Sequence, residues 1–183
     1  MKKQLLFITL SCCIMVFVTS CKMNVLKGEG NKTTTNPAVN SFDAVAVDLE
    51  VNTVINIKEG ATPSVQIDGY ENLLKHIVAK VENGRLHITH DLDETWKMES
   101  EGVTVTVTMP SINNLKLVGA ADAELHGNIT GRSFYLAVSG ASDVGIDNIT
   151  TDSFLVDASG ATDLEVKGGT VKFAEYDISG AGE

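Results

Sequence analysis

The sequence is poor in two residue types that many functions require, cysteine and arginine. Among 183 residues there are three cysteines and only two arginines, Arg85 and Arg132, and the formal net charge is −10. Nucleic-acid-binding surfaces depend on clustered basic side chains that contact phosphates. The composition therefore argues against nucleic acid as a partner, and it also argues against electrostatic attraction to an anionic membrane.

The one long apolar run lies at the N-terminus and is typical of an export signal. Lys2 and Lys3 precede the fourteen residues from Leu5 to Val18, which are too few to span a bilayer comfortably. The run ends in Val18-Thr19-Ser20-Cys21, which resembles the bacterial lipobox. The resemblance implies cleavage before Cys21, diacylglycerol on its sulfur and acylation of the new N-terminus. The alternatives are a plain secretory signal and an ordinary core cysteine.

Cleavage of residues 1–20 would leave one cysteine and a stronger negative charge. Cys12 and Cys13 lie in the removed segment, so we expect no disulfide and no cysteine metal site. Two of the 14 basic residues and none of the 24 acidic residues lie there, so the remaining formal charge is −12. We expect membrane contact through the lipid on Cys21 alone, since each buried methylene contributes about 0.8 kcal/mol.

The segment that follows is predicted to be a flexible tether. Residues 21–40 contain Gly28, Gly30, a run of three threonines and Pro37, with almost no apolar periodicity. Such a composition buries too little apolar surface to offset the entropy of ordering. We therefore divide the chain into a signal peptide (1–20), a lipidated tether (21–40) and one domain (41–183).

Alternating apolar residues predict that this domain is made of β-strands. The period of two is typical of strands with one buried face. The best helical segment is Glu71–Val78, of barely two turns. The alternating sets are Val45, Val47, Leu49 and Val51; Val65 and Ile67; Leu86 and Ile88; and Val103, Val105 and Val107.

The second half of the domain contains an internal repeat. The motif Val118-Gly119-Ala120-Ala121-Asp122 returns as Ser139–Asp143 and Ser159–Asp163, and it begins again at Ser179. The glycines are spaced 21, 20 and 20 residues apart. A unit of about twenty residues with short strands and glycine turns predicts stacked coils. We therefore predict an all-β fold, a parallel right-handed β-helix, whose last coil is truncated at the C-terminus.

The sequence resembles a family of Bacteroidetes lipoproteins with a domain of unknown function described as the "putative auto-transporter adhesin, head GIN domain". The likeness covers roughly Phe42 to Glu183. It rests on Asn72-Leu73-Leu74 after an Ile-Asp-Gly strand, on the segment Val105–Pro110 and on the recurring Ser-Gly-Ala turns. The resemblance implies a parallel β-helix and an adhesin-like role in the cell envelope, and it carries over no catalytic residue.

Three aspartates in equivalent repeat positions are a possible metal site. Asp122, Asp143 and Asp163 would form a ladder across successive coils, and Ca²⁺ prefers such oxygen ligands. The alternative, which we favour, is that aspartate is placed there by the turn itself. We expect no cofactor beyond the lipid on Cys21.

The single tryptophan, Trp96, marks a possible ligand-binding site. It lies in a polar segment with Asp93 and Glu94, and an exposed tryptophan among polar groups suits stacking against a sugar. The alternative is a tryptophan that fixes a hairpin to the domain. His87 and His90 are three residues apart, which places them on opposite faces of a strand, so we interpret the histidines as ordinary surface residues.

The sequence favours a binding protein over an enzyme. No GxSxG or HExxH motif occurs, and the basic residues of the repeat region are scattered. We expect a cell-envelope lipoprotein in the outer membrane. It is attached to the membrane through its lipid anchor and binds a glycan or a surface protein. The alternatives are a carbohydrate-active enzyme and a purely structural lipoprotein.

Overall fold

The structure, a computed structural model, describes residues 24–58, 60–99 and 101–182. Strands dominate this part of the chain, so the predicted all-β class is confirmed. The elements are β1 (Asn24–Lys27), β2 (Lys32–Thr35), β3 (Ala44–Asp48), β4 (Asn52–Ile57), β5 (Ser64–Tyr70), α1 (Glu71–Leu74), β6 (Ile77–Glu82), β7 (Arg85–His90), β8 (Trp96–Glu99), β9 (Thr104–Met109), β10 (Asn114–Gly119), β11 (Ala123–Val166) and β12 (Gly169–Gly182).

The strands form one large sheet and one small one. In the large sheet the order is β2-β5-β9-β4-β11-β10-β3-β7-β6, and β12 pairs with β11. The small sheet is the parallel pair of β1 and β8. The large sheet is curled like half of a barrel and mixes parallel and antiparallel pairs.

The prediction of a parallel right-handed β-helix is wrong. The pairs β2–β5, β5–β9 and β6–β7 are antiparallel, so the domain is not one continuous coil. The reason is clearest at the turn between β6 and β7, where Asn83 has a φ of 51° and Gly84 a φ of 78°. Asparagine and glycine in this conformation make the tight turn whose twist matches an antiparallel hairpin.

Parallel pairing occupies the part of the sheet built from β3, β4, β7, β9, β10, β11 and β12. Gly119 pairs with Gly140, and Gly160 pairs with Gly180. A Cβ atom on Gly140 would overlap the carbonyl oxygen of Gly119, and the φ of Gly140 is 129°. Glycine is required there both by the backbone conformation and by the close approach of the neighbouring strand.

The core follows the alternation that the sequence predicts. All eleven residues of the first four alternating sets are buried. Phe134 and Phe154 stack in the interior with ring centroids 5.7 Å apart, and Tyr176 meets Phe154 edge to face at 6.0 Å. Burial of one face of the central strands is therefore the main source of cohesion in this domain.

Two local predictions need correction. The predicted helix Glu71–Val78 is reduced to the four residues of α1, and Ile77 and Val78 belong to β6. The predicted tether contains β1 and β2, and β2 pairs with β5. The side-chain amide of Asn72 holds the link between β1 and β2. Its Nδ2 donates to the carbonyl of Lys27 at 2.6 Å, and its Oδ1 accepts from the N–H of Glu29 at 3.0 Å.

Candidate functional site

Strand β8 presents Trp96 at the surface next to the N-terminal strand. Trp96 pairs with Asn24, and Leu26 pairs with Met98. Alternation along β8 places Trp96 and Met98 on the same side. Met98 is buried in the core, whereas Trp96, two residues earlier, is 39% exposed. The buried methionine fixes the strand and leaves the indole ring partly open to solvent.

A tight turn sets the position of Trp96. The N–H of Trp96 donates to the carbonyl of Asp93 at 3.0 Å, and the N–H of Thr95 donates to Oδ1 of Asp93 at 2.9 Å. The hydroxyl of Thr95 donates to the same oxygen. These hydrogen bonds, first from the hydroxyl and then from the N–H, lower the pKa of Asp93 below its ordinary value. Asp93 is therefore a fixed anionic acceptor beside the indole ring.

One cleft, of about 390 Å³, has Trp96 in its lining. Within this lining, His76 Nδ1 and Asp91 Oδ1 are hydrogen-bonded at 2.8 Å, and the N–H of Asp91 also donates to the carbonyl of His76 at 3.0 Å. The cleft combines two aliphatic walls with polar edges. It is lined by Leu26, His76, Asp91, Leu92, Asp93 and Trp96.

A second cleft, of about 340 Å³, also has Trp96 in its lining. Lys97 forms an ion pair with Glu50 across it, with Nζ and Oε1 3.3 Å apart. We call the two clefts together with the shared indole ring the Trp96 surface. The second cleft is lined by Asp48, Leu49, Glu50, His90, Trp96, Lys97, Met98, Val118 and Gly119.

The structure brings together some of the predicted ligand-binding residues. Asp93 and Trp96 line the same cleft, while Glu94 is exposed in the preceding turn and lines neither cleft. Sequence reasoning missed Leu26 and His76, because strand pairing brings them to this cleft from distant positions in the chain. His90, which we interpreted as an ordinary surface residue, also lines the second cleft.

The three predicted metal ligands lie along neighbouring layers of the sheet. The N–H of Asp143 donates to Oδ1 of Asp122 at 3.3 Å. Asp143 and Asp163 line an open cleft with Glu124 and Glu165. In residues 24–58, 60–99 and 101–182, no three His, Cys, Asp or Glu side chains are grouped so that they could hold a metal ion.

A further charged cluster crosses three layers near the aspartates. Asp147 accepts from His126 at 3.1 Å and from Lys167 at 3.2 Å. These two hydrogen bonds, with His126 the larger cause, lower the pKa of Asp147. Asp147 is 21 residues after His126 and 20 residues before Lys167, and this even spacing is the sequence signal for their contact. All three are solvated side chains that tie successive layers together.

The predicted signal peptide and the predicted lipidation site at Cys21 lie outside the described residues. In the part of the chain that the structure describes, no helix has the length and apolarity needed to cross a membrane.

The described part of the chain is thus an all-β protein with a curled mixed sheet and open clefts at its surface. The chain belongs to the family described as "Putative auto-transporter adhesin, head GIN domain", whose sequence profile matches residues 41–183. The resemblance noted from the sequence is thereby confirmed.

Two solved structures share the fold. A "putative adhesin" from Bacteroides fragilis is 15% identical, with a TM-score of 0.57 over 86% of this chain and 97% of that chain. A "putative adhesin" from Parabacteroides distasonis is 14% identical, with a TM-score of 0.56 over 87% of this chain and 83% of that chain. At these identities the likeness shows the fold alone. Among curated proteins, none matches this chain.

Proposed function

We propose that the chain is a non-catalytic binding protein of the bacterial cell envelope, anchored by a lipid on Cys21, and that the Trp96 surface binds carbohydrate. Family membership supports an adhesin-like role. The basic segment, apolar run and lipobox-like residues before Cys21 support the anchor. The scattered basic residues and the lack of hydrolase motifs in the sequence support a role without catalysis.

The observation that carries the proposal is the exposed indole ring that lines two clefts. The apolar face of a sugar ring stacks on an aromatic side chain, and its hydroxyls need polar partners at the edge of the contact. Asp93 and Asp91 supply acceptors in the first cleft, and His90 and Asp48 line the second. This alternation of aromatic face and polar rim suits a neutral carbohydrate.

Intrinsic fluorescence tests sugar binding directly, because Trp96 is the one tryptophan in the sequence. The full-length chain in detergent should show a saturable change in emission with at least one member of a panel of soluble oligosaccharides. Calorimetry should then show at least a tenfold loss of affinity in Trp96→Ala.

Tyr176→Ala is the matched control, because it removes an exposed aromatic ring from a different surface. This variant should bind sugar as the parent does. Equal affinity in Trp96→Ala and the parent, or silence across the whole panel, would contradict the proposal. Release of shortened oligosaccharides during the titration would instead identify a carbohydrate-active enzyme.

Metabolic labelling with a radioactive fatty acid tests the anchor. Cys21→Ala should lose the label and leave the membrane fraction. Cys12→Ala should keep both, because residue 12 lies in the segment predicted to be removed. Label that persists in Cys21→Ala would show that the lipid is not on this residue.

A further inference from the structure

The strand that pairs with Trp96 begins three residues after the proposed anchor. Strand β1 starts at Asn24, whose N–H donates to the carbonyl of Thr95 at 2.9 Å and which pairs with Trp96. The next residue, Val25, is 46% exposed. Leu26 then lines the same cleft as Trp96. The strand closest to the proposed lipid is therefore itself part of the site.

Covalent geometry limits how far this surface can stand from the membrane. Three residues span at most about 11 Å in any conformation, and neighbouring strands are about 4.8 Å apart. The backbone of Trp96 therefore lies within about 16 Å of the Cα atom of Cys21. The headgroup layer of one leaflet is about 5–7 Å thick, so a sugar carried on a headgroup reaches the same height.

The charges beside Trp96 favour a neutral headgroup. The lysines of β1 and β8 are each held by a glutamate: Lys27 Nζ is 3.1 Å from Glu99, and Lys97 Nζ is 3.3 Å from Glu50. Glu101 lines the adjacent hollow with these groups. A surface whose cations are already paired and which carries a further carboxylate repels phosphate and suits the hydroxyls of an uncharged sugar.

We infer that the ligand of the Trp96 surface is a sugar-bearing lipid headgroup in the leaflet that holds the Cys21 anchor. This inference rests on the lipid anchor and the sugar binding proposed above. It adds the source of the sugar, which is the protein's own membrane, and it sets the orientation of the domain, with β1 and β8 toward the lipid surface.

The test compares the lipidated full-length chain with a variant that carries twenty glycine and serine residues between Met23 and Asn24. Such an insert has an end-to-end distance of about 25 Å. Both chains are reconstituted in phosphatidylethanolamine vesicles with a headgroup spin label, with and without a diacylglycerol that bears the sugar preferred in the soluble panel. Emission from Trp96 should be quenched by the spin label and should change saturably with the glycolipid fraction.

The insert should reduce both effects at least threefold and leave the affinity for the soluble sugar within twofold. Unchanged melting temperature and circular dichroism would show that the insert leaves the fold intact. Normal binding of soluble sugar without quenching by headgroup labels, or without a response to the glycolipid, would overturn the inference and leave the proposed function standing. Silence toward both the soluble sugar and the glycolipid would instead reject the proposed function.

Discussion

Strands β11 and β12 carry the same apolar pattern in adjacent layers of the sheet, yet their burial is opposite. Val156 is 4% exposed and its partner Tyr176 is 55% exposed; Ala158 is 3% exposed and its partner Ile178 is 53% exposed. The difference arises because β11 has strands on both sides, whereas β12 pairs with β11 alone among the described strands. Alternation thus identifies which face points inward, and the neighbouring layer decides how much of that face is buried.

The largest effect is expected when one side chain is removed from β11 and, for comparison, one from β12. Leu136 is fully buried, so Leu136→Ala should lower the free energy of unfolding by about 2–5 kcal/mol. Tyr176→Ala removes a larger but half-exposed side chain and should cost less than about 1 kcal/mol. Urea unfolding followed by circular dichroism measures both. Equal costs would mean that β12 is covered in solution.

A smaller contrast is expected for two glycines that stand in equivalent places. A Cβ atom on Gly140 or on Gly180 would overlap the carbonyl oxygen of the preceding layer. Gly140 is confined between neighbouring strands, so Gly140→Ala should lower the free energy of unfolding by about 1–3 kcal/mol. Gly180→Ala should cost less, because β12 can shift outward. Gly131→Ala is the control for backbone conformation alone, since its φ is 145° and nothing lies within 4 Å of an added Cβ atom.

The smallest effect concerns the acid dependence of two ion pairs. Hydrogen bonds from His126 and Lys167 lower the pKa of Asp147, so its contribution is present above the ordinary carboxyl pKa and is lost as pH falls through the lowered value. In Asp147→Asn, the free energy of unfolding should therefore depend less on pH below about pH 4 than it does in the parent.

Asp152→Asn is the matched variant, because Asp152 of β11 pairs with Lys172 of β12 at 2.7 Å. A steeper acid dependence in Asp147→Asn than in the parent would contradict the assignment. Thermal melting between pH 2 and pH 7 gives both comparisons.

The sequence predicts the buried faces well because alternation is a local signal. Val45 and Val47 had to point inward whatever strands flanked them, and both are fully buried. Whether a neighbouring strand runs parallel or antiparallel depends less on the local sequence. Asn83-Gly84 marks one antiparallel hairpin and was available in the sequence. The antiparallel pairing of β2 and β9 with β5 depends on closure between distant segments, which no short motif encodes.

The candidate site shows the same division between local and distant information. Trp96 and Asp93 stand out in one polar segment, so composition was sufficient to single them out. Leu26 reaches this cleft because β1 pairs with β8. His76 reaches it because the segment after α1 lies beside Asp91. Residues brought together by strand pairing across the chain have no signature in either segment alone.

The two hydrogen bonds of the Asn72 amide affect how the chain responds to a pulling force. Tension applied at the N-terminus acts first on the four residue pairs of β1 and β8, then on the two hydrogen bonds of the Asn72 amide, and then on β2. The two hydrogen bonds of the Asn72 amide are exposed, so we expect them to break before the core strands separate. A pull on this end should therefore extend the segment between β1 and β2 before the force reaches the core of the large sheet.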